Sequence, residues 1–305
     1  MAAGDLITRD LQIEWAGRLW GDGTAVQVVN VDGWDTLPAV DSRTVPRAQQ
    51  HGSYLGGLLS QSRIVTADLQ LTTWPDEYPA ARRALLTATA LAQDEQPLVI
   101  RLAGETQLVH ARVFARRLPD DAQAAQGTPA LTIAWEATDP RRYGLAEQVV
   151  TTALPQPGLG LDWADGGSPA GLDWHDGDSP AGLDWGADTS TGNVTCVNAG
   201  DADAHPLLEI RGPVTLPSVT VVETGQVLEY DITLAASDVL TVDTWGGTVT
   251  LASGATRLYT ATARSAPEGA FVLPALSTST LALRSAPGSS DPAASLTVRY
   301  RSAYW

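Results

Sequence analysis

Apolar and polar residues alternate along several short stretches in the first half of the chain. The longest stretch covers residues 64–72, in which Asp68, Gln70 and Thr72 fall on one face of an extended segment. A period of two residues is typical of a β-strand with one buried face, because successive side chains point to opposite sides. Shorter stretches of the same kind cover residues 11–15, 26–31, 98–102, 108–114 and 130–135. The pattern predicts a β-rich, sandwich-like domain over residues 1–150.

One segment of this half has a helical pattern instead. Residues 80–92 are rich in Ala, Leu and Arg. An apolar stripe at helical spacing can be formed by Leu85, Leu86 and Leu91. Pro79 suits the first turn of a helix, where a missing N–H costs no hydrogen bond. We predict one helix over residues 80–92, and we interpret the polar segment 120–128 as an exposed hairpin loop.

The chain after Gly192 has no helical pattern. Short apolar segments recur there with Gly, Pro, Ser and Asp between them, as in the strands and turns of a two-sheet sandwich. The strand candidates are residues 207–210, 218–222, 227–234, 239–243, 248–251, 271–273, 280–283 and 295–300. We predict a mainly β protein, with one helix in its first domain and a second β-sandwich domain over residues 193–305.

A short sequence is repeated three times in the middle of the chain. Gly-Leu-Asp-Trp occurs at 160–163, 171–174 and 182–185, a spacing of eleven residues. The Gly, Pro and Asp residues around each copy oppose a helix and favour short extended segments joined by tight turns. We therefore predict a connector over residues 151–192. We expect its tryptophans to dock it onto a neighbouring domain or subunit, and these are Trp163, Trp174 and Trp185.

Two other roles for the repeat stay open. Its aspartates could offer oxygen ligands to calcium, and they include Asp162, Asp165, Asp173, Asp176 and Asp178. Their spacing matches neither an EF-hand nor a calcium-binding nonapeptide repeat, and Asp before Gly is also ordinary turn chemistry. The three tryptophans could instead form an aromatic platform for sugars. We favour docking, since tryptophans eleven residues apart would point to opposite sides of an uninterrupted strand.

The chain is strongly acidic, with 35 acidic and 19 basic residues and a formal net charge of −16. Such a charge argues against nucleic acid or an anionic membrane as the main partner, because like charges repel. All the basic residues are arginine. We interpret this bias, together with abundant Ala and Gly, as the product of a GC-rich coding sequence of actinobacterial origin.

The sequence predicts no membrane span and no internal disulfide. No stretch approaches eighteen consecutive apolar residues, and Cys196 is the single cysteine. The first residues lack the basic and apolar regions of a signal peptide. We therefore expect a protein that is made in the cytoplasm and has no membrane partner.

No motif for catalysis or metal binding is present in the sequence. The four histidines, His51, His110, His175 and His205, are far apart and form no ligand-spaced cluster. The chain lacks a Gly-x-Ser-x-Gly nucleophile motif and the lysine of a phosphate-binding loop. We expect no metal, no cofactor and no enzymatic activity.

Four motifs along the chain carry a resemblance to a known family. Asp-Pro-Arg-Arg-Tyr at 139–143 ends the first half, and a segment of small and polar residues at 198–206 leads to a proline. An Asp-x-Leu-x-Val-Asp-Thr strand follows at 238–244, and an aromatic and apolar stretch at 269–276. In this order they resemble the distal tail proteins of bacteriophages with long, non-contractile tails. Ala275 stands where that family commonly has glycine.

The resemblance implies a structural virion protein at the tail tip, which is assembled in the host cytoplasm. Its first domain would form a hexameric ring, the hub between tail tube and host-recognition tip. Its second domain would project as a galectin-like or carbohydrate-module-like sandwich. The implied partners are further copies of this chain, the tail tube protein, the tail-tip proteins and the tape measure protein. DNA would pass through the ring only as cargo.

Two alternatives to a purely structural role stay open. The second domain could be a carbohydrate-binding module that contacts host surface glycans during attachment. Exposed aromatic residues would then hold the sugar, with Trp245 and Tyr259 as the candidates, together with Tyr304 and Trp305. A tail-associated glycosidase would instead need a pair of carboxylates, and the sequence singles out no such pair.

Overall fold

The structure is a computed structural model, and it describes residues 2–156 and 190–305. These residues form two compact units. Among the described residues, the first unit comprises 2–146, 200–202 and 301–305, and the second comprises 147–156, 190–199 and 203–300. The Gly-Leu-Asp-Trp repeat with its three tryptophans lies outside the described residues.

Both units consist mainly of strands, so the prediction of a mainly β protein is confirmed. The strands of the first unit begin with β1 Gln12–Trp15, β2 Arg18–Trp20, β3 Val26–Asp32, β4 Val40–Ser42, β5 Val45–Pro46, β6 Ser53–Tyr54, β7 Leu58–Ser60, β8 Arg63–Leu71, β9 Gln96–Leu102, β10 Glu105–Arg117, β11 Ala130–Ala137 and β12 Arg142–Gly144. The second unit contains β13 Gln148–Ala153, β14 Asn193–Asn198, β15 Leu207–Arg211, β16 Val214–Thr215, β17 Ser218–Val221, β18 Val227–Glu229, β19 Thr233–Leu234, β20 Val239–Asp243, β21 Thr248–Leu251, β22 Ser277–Arg284 and β23 Ser295–Tyr300. The last strand, β24 Ala303–Tyr304, belongs again to the first unit. The helices are α1 Tyr78–Ala88, α2 Ala122–Ala125 and two 3₁₀ turns, Leu258–Thr260 and Glu268–Ala270.

The first unit is built on one bent antiparallel sheet with the strand order β2-β1-β9-β10-β11-β8-β3. The long strand β10 pairs with β9 through its first half and with β11 through its second half. Strand β12 pairs with β10 on one side and with β24 on the other. Both halves of the sheet contribute to one core, whose buried members include Ile13, Ile100, Val109, Val65, Leu69 and Ile133. The sheet therefore folds into a sandwich-like arrangement around a shared core.

Three tryptophans form the centre of this core. The ring of Trp135 lies 5.8 Å from that of Trp15 and 5.9 Å from that of Trp20, between ring centroids. The Trp15 indole Nε1 donates a hydrogen bond of 2.8 Å to the Ala88 carbonyl at the end of α1. Aromatic packing of this kind stabilises a core beyond the area it buries, and here it also fixes the helix to the sheet.

The observed helix α1 is shorter than the helix predicted over residues 80–92. Leu85 is buried as expected, but Leu91 lies outside the helix with 86% of its surface exposed. Arg116 explains the early end, because its guanidinium Nη1 donates to the carbonyls of Leu86 and Thr89. A cation that binds the last free carbonyls stabilises a helix end. The prediction of Leu91 in an apolar stripe was therefore wrong.

The polar segment 120–128 connects β10 and β11, which pair as an antiparallel hairpin. It is not wholly extended or exposed, since it contains the single turn of helix α2 and buries Ala124. The Asp121 carboxylate accepts a 3.0 Å hydrogen bond from the Ala124 N–H and so acts as an N-cap. The prediction of one helix missed this short second one.

The second unit is a sandwich of two main antiparallel sheets, as predicted. One sheet has the order β13-β23-β15-β20-β21 and the other β14-β22-β17-β18, and β16 and β19 form a separate pair. Alternate residues of the strands are buried, among them Leu208, Ile210, Leu240, Val242, Val219, Leu281 and Val298. Cys196 is buried as a free thiol, and burial raises its pKa to about 12. No helix in the described ranges is long and apolar enough to cross a membrane.

The segment 271–273 was predicted as a strand, and this prediction was wrong. Phe271 and Leu273 are buried, but only an isolated bridge joins Leu273 to Ala204. After Pro274 the chain turns through a left-handed conformation at Leu276, with φ of 50°, rather than at Ala275. The unusual backbone that a glycine would favour therefore falls one residue later than the resemblance suggested.

Candidate assembly surface

A long hairpin leaves the main sheet of the first unit between β3 and β8. Residues 39–61, which we name the arm, form it through two short ladders, β4 with β7 and β5 with β6. At its base the Gln61 N–H donates to the Ala39 carbonyl at 2.8 Å. None of the arm residues is buried. The arm therefore contributes nothing to the core of its own unit.

The arm carries large apolar side chains in contact with solvent. They are Val40, Val45, Tyr54, Leu55, Leu58 and Leu59. Leu55 is 95% exposed. Exposed apolar patches mark sites of protein association, and Val40 and Leu58 line one apolar pocket together with Leu37. The arm is therefore the strongest candidate for an assembly surface in the first unit.

A glycine next to Leu55 sets the local path of the arm. A Cβ added to Gly56 would lie 2.0 Å from the Arg43 carbonyl oxygen, so only glycine allows the two backbone segments to approach this closely. Nearer the tip, the Arg47 guanidinium lies 4.9 Å from the centroid of the Tyr54 ring, a cation–π contact. These contacts give the hairpin a defined conformation although it lacks a core.

Arg63 fixes the base of the arm. Its guanidinium is almost fully buried and binds backbone carbonyls on two segments of the chain. Nη1 donates to Gly33, Trp34 and Thr36 at 2.9, 2.7 and 2.8 Å, and Nε donates to Pro140 at 2.6 Å. Burial, and then the nearby Arg142 cation, lower the pKa of Arg63 to about 10. Residues 33–36 lead from β3 toward the arm, so Arg63 holds the segment that precedes the arm in place.

The Asp-Pro-Arg-Arg-Tyr motif lies at the same base. The Asp139 carboxylate accepts from Arg141 Nε at 2.8 Å and from the Tyr143 hydroxyl at 2.5 Å. The next residue, Arg142, forms an ion pair with Asp35. Burial and then the Asp139 charge raise the pKa of Tyr143 well above its usual value, so the phenol remains a donor. The motif is structural: it connects the end of the first unit to the entry of the arm.

The sequence predicted neither the arm nor Arg63. Each arm ladder is only two or three residues long, too short for an alternating pattern to stand out. The available signals were the apolar residues between positions 37 and 59 and the glycines at 52, 56 and 57. Nothing local indicates that a hairpin will remain unpaired, because pairing depends on distant strands.

The sugar-contact candidates lie in the second unit. Trp245, 51% exposed, lies in the turn between β20 and β21, whose Asp243 carboxylate accepts from the N–H groups of Trp245 and Gly246. The His205 ring packs edge-on to the Trp245 indole, with centroids 5.3 Å apart. Tyr259 is 76% exposed. Both are solvent-accessible aromatic rings, and their sugar contact stays a prediction.

Tyr259 and Trp245 are near the same end of strand β21. The segment before Tyr259 runs antiparallel to β21, with the Arg257 N–H bonded to the Val249 carbonyl at 2.7 Å. This direction leads the chain toward the turn that holds Trp245. The two other aromatic candidates, Tyr304 and Trp305, belong to the first unit.

The docking tryptophans of the repeat, Trp163, Trp174 and Trp185, fall outside the described residues, so their role stays a prediction. Within the ranges the structure describes, no group of three or more His, Cys, Asp or Glu side chains is placed to hold a metal ion.

The buried carboxylates of the second unit bind neighbouring groups. Glu229 accepts hydrogen bonds of 2.8 Å from the Thr262 hydroxyl and from the Arg264 guanidinium. Glu268 accepts a 3.2 Å hydrogen bond from the Tyr230 hydroxyl. Both therefore have structural partners, and neither is singled out as a catalytic acid.

Comparison with known proteins identifies the fold. No model of a known protein family matches the chain, and no curated protein matches its sequence. The structure is similar to that of the SPP1 Dit (gp 19.1) protein, described as a paradigm of the hub adsorption apparatus in phages that infect Gram-positive hosts. The TM-score is 0.62 at 12% identity, over 95% of this chain and 97% of that chain.

Two structures of the phage P2 baseplate in its activated conformation, with Ca and with Sr, also match. Their TM-scores are 0.49 and 0.48 at 11% identity, over 94% of this chain in each case. They cover 97% and 96% of the matched chains. The fold of this chain is similar to that of the SPP1 Dit protein along almost its whole length.

Proposed function

We propose that this chain is a distal tail protein, a structural component of a phage tail that forms the hub between the tail tube and the host-recognition tip. The similarity in fold to the SPP1 Dit protein, over 95% of the chain, is the observation that carries the proposal. The order of the motifs at 139–143, 198–206, 238–244 and 269–276 supports it independently. In this role the protein has no enzymatic activity, and its location is the virion.

The first unit would form the ring, which we expect to contain six copies. A closed ring of identical subunits needs two different complementary surfaces on each copy. The arm supplies one such surface, because it exposes apolar side chains and contributes nothing to its own core.

The remaining partners would be the tail tube, tail-tip and tape measure proteins. The net charge of −16 suits a ring through which DNA passes without binding. The exclusive use of arginine supports a GC-rich host.

The ring can be tested by measuring the mass of the protein in solution, alone and mixed with its tail tube protein. We expect a hexamer in at least one of these conditions. A variant with residues 40–60 replaced by Gly-Gly should remain monomeric, and its closure is feasible because Ala39 and Gln61 are already hydrogen-bonded. An unchanged thermal melt would confirm that this variant folds. A strictly monomeric wild-type protein under both conditions would contradict the proposal.

A second candidate function is the binding of host surface glycans by the second unit. It is favoured by the exposed rings of Trp245 and Tyr259 near one end of β21, since aromatic faces stack on the apolar faces of sugars. We expect binding to a panel of neutral oligosaccharides such as cellohexaose and maltohexaose, and loss of binding in Trp245→Ala and Tyr259→Ala. Trp74→Ala, which removes an exposed tryptophan of the first unit, is the control. Absence of binding by the full chain would leave a purely structural role.

A further inference from the structure

Two exposed apolar side chains of the first unit line one pocket outside the arm. Leu91 and Phe114, the latter 64% exposed, border a pocket of about 210 Å³. Arg112 and Glu136 also line it and form an ion pair of 2.9 Å. We name these four residues the Leu91–Phe114 patch. None of these four residues belongs to the buried core of the unit.

A β-bulge directs Phe114 outward. The pairing of β10 with β11 passes from Val113 opposite Trp135 to Ala115 opposite Ala134, so Phe114 has no partner in the ladder. Bulges re-aim a side chain and are frequent at functional sites. The other phenylalanine of the chain, Phe271, is fully buried. The exposure of Phe114 thus follows from a defined backbone feature.

Leu91 is exposed for a similarly specific reason. Arg116 binds the last carbonyls of α1, which ends the helix at Ala88 and leaves Leu91 in the following loop. The cap and the bulge together place two large apolar side chains at one pocket on the surface. An apolar surface that the fold leaves exposed in this way marks a binding site for another polypeptide.

Neither the arm nor the Leu91–Phe114 patch is covered by residues 2–156 or 190–305 of its own chain, since Leu55, Leu91 and Phe114 are all exposed. Their charges are complementary. The arm contains two arginines and one aspartate, a net charge of +1 in a chain of −16. Arg112 and Glu136 balance each other, while Asp94 and Glu95, which follow the pocket residue Gln93, and Arg116, which binds the Thr89 carbonyl, add a net charge of −1 beside the patch. Opposite charges favour and orient the encounter of the two surfaces.

We propose that the Leu91–Phe114 patch receives the arm of a second copy of this chain, with Leu55 seated in its pocket. This inference rests on the ring of the proposed function and specifies its two complementary surfaces. The contact is head-to-tail, because the arm and the patch are different surfaces on each copy. Repetition of such a contact closes a ring when the rotation between neighbouring copies divides a full turn.

Two variants that each add one cysteine, Leu55→Cys and Phe114→Cys, test the contact in the full chain. The native Cys196 is buried, so it does not compete for oxidation. We expect a disulfide-linked dimer when the two variants are mixed and oxidised, and no such dimer from either variant alone. Leu55→Cys mixed with Val222→Cys, an exposed position of the second unit, is the matched control.

The serine variants Leu55→Ser and Phe114→Ser provide a second measurement. Both positions are exposed, so the thermal melt should be unchanged, while dissociation of the ring should be favoured at least about ten-fold. Equal cross-linking with Val222→Cys, or wild-type ring stability in both serine variants, would overturn the inference and leave the ring itself in place. A wild-type chain that is monomeric in every condition would overturn the proposed function as well.

Discussion

Arg63 lies at a position of strand β8 that faces the core, where the alternating pattern predicts an apolar residue. It is in phase with the buried residues Val65, Ala67, Leu69 and Leu71, and only 1% of its surface is exposed. A buried cation is costly unless it is hydrogen-bonded. Arg63 offsets this cost by binding four carbonyl groups, which also orders the entry of the arm.

We expect Arg63→Met to lower the free energy of unfolding by about 3 kcal/mol, because several buried carbonyl groups lose their donor. Urea denaturation of the full chain would measure the change. Arg18→Met, at an exposed position of the same unit, should stay within about 0.5 kcal/mol of the wild type. Equal stability of the two variants would show that the Arg63 contacts do not support the fold.

Cys196 makes the stability depend on pH in the alkaline range. Burial raises its pKa from 9.0 to about 12, so the folded state keeps a proton that the unfolded state loses. The stabilisation is complete below pH 9 and is lost as pH rises from 9 toward 12. We expect the wild type to lose on the order of 1 kcal/mol more than Cys196→Ala between pH 8 and pH 10, measured by urea denaturation. Parallel losses in the two proteins would contradict this assignment.

At the scale of elements, the first unit has a core of buried residues and an arm that lies outside this core. The bent sheet and α1 bury the core, whereas the arm has four short strands and no buried residue. Its conformation depends on local features instead, mainly the close approach at Gly56 and the Arg47–Tyr54 contact. An element held in this way opens at low cost in free energy when compared with the core.

Gly56→Ala should loosen the arm, since the new Cβ would lie 2.0 Å from the Arg43 carbonyl oxygen. Gly57→Ala is the matched control, because a Cβ at Gly57 has no atom within 4 Å. We expect trypsin to cleave after Arg43 and Arg47 about ten-fold faster in Gly56→Ala, as about 1.4 kcal/mol of local destabilisation would produce. Similar cleavage rates in the two variants would show that the close approach does not hold the arm.

At the scale of the whole molecule, the chain combines two β units with an acidic charge and a Gly-Leu-Asp-Trp sequence that occurs three times. The fold is similar to that of the SPP1 Dit protein along nearly the whole chain. Among the described residues, the exposed apolar side chains include those of the arm and the Leu91–Phe114 patch in the first unit and of the aromatic turn in the second. These features are consistent with the proposed role as a structural component of a phage tail.

The Gly-Leu-Asp-Trp repeat is predicted to dock onto a neighbouring domain or subunit through its tryptophans. The triple variant Trp163→Ala, Trp174→Ala and Trp185→Ala should weaken assembly at least about ten-fold, as expected when anchoring aromatic residues are removed from an interface. Analytical ultracentrifugation of the full chain would measure the effect, with Trp74→Ala as the control. Wild-type assembly of the triple variant would reduce the repeat to a spacer.

The sequence by itself determined the features that depend on local periodicity. Alternation predicted strand β8, short apolar segments between turn residues predicted most strands of the second unit, and the Ala- and Leu-rich segment predicted α1. These predictions hold because the burial of one face leaves a repeating mark on the sequence wherever a strand or helix is long enough. The end of α1 was not predictable, since Arg116, which binds its last carbonyls, comes 27 residues after Thr89.

Only the tertiary structure decided which apolar residues remain in contact with solvent. Leu55, Leu91 and Phe114 have the same hydrophobic character as core residues, and their exposure depends on an unpaired hairpin, a distant cap and a bulge. Arg63 is buried for the converse reason, because carbonyls from two remote segments meet at its side chain. Local sequence specifies elements, whereas the pairing of distant segments determines which surfaces remain for assembly.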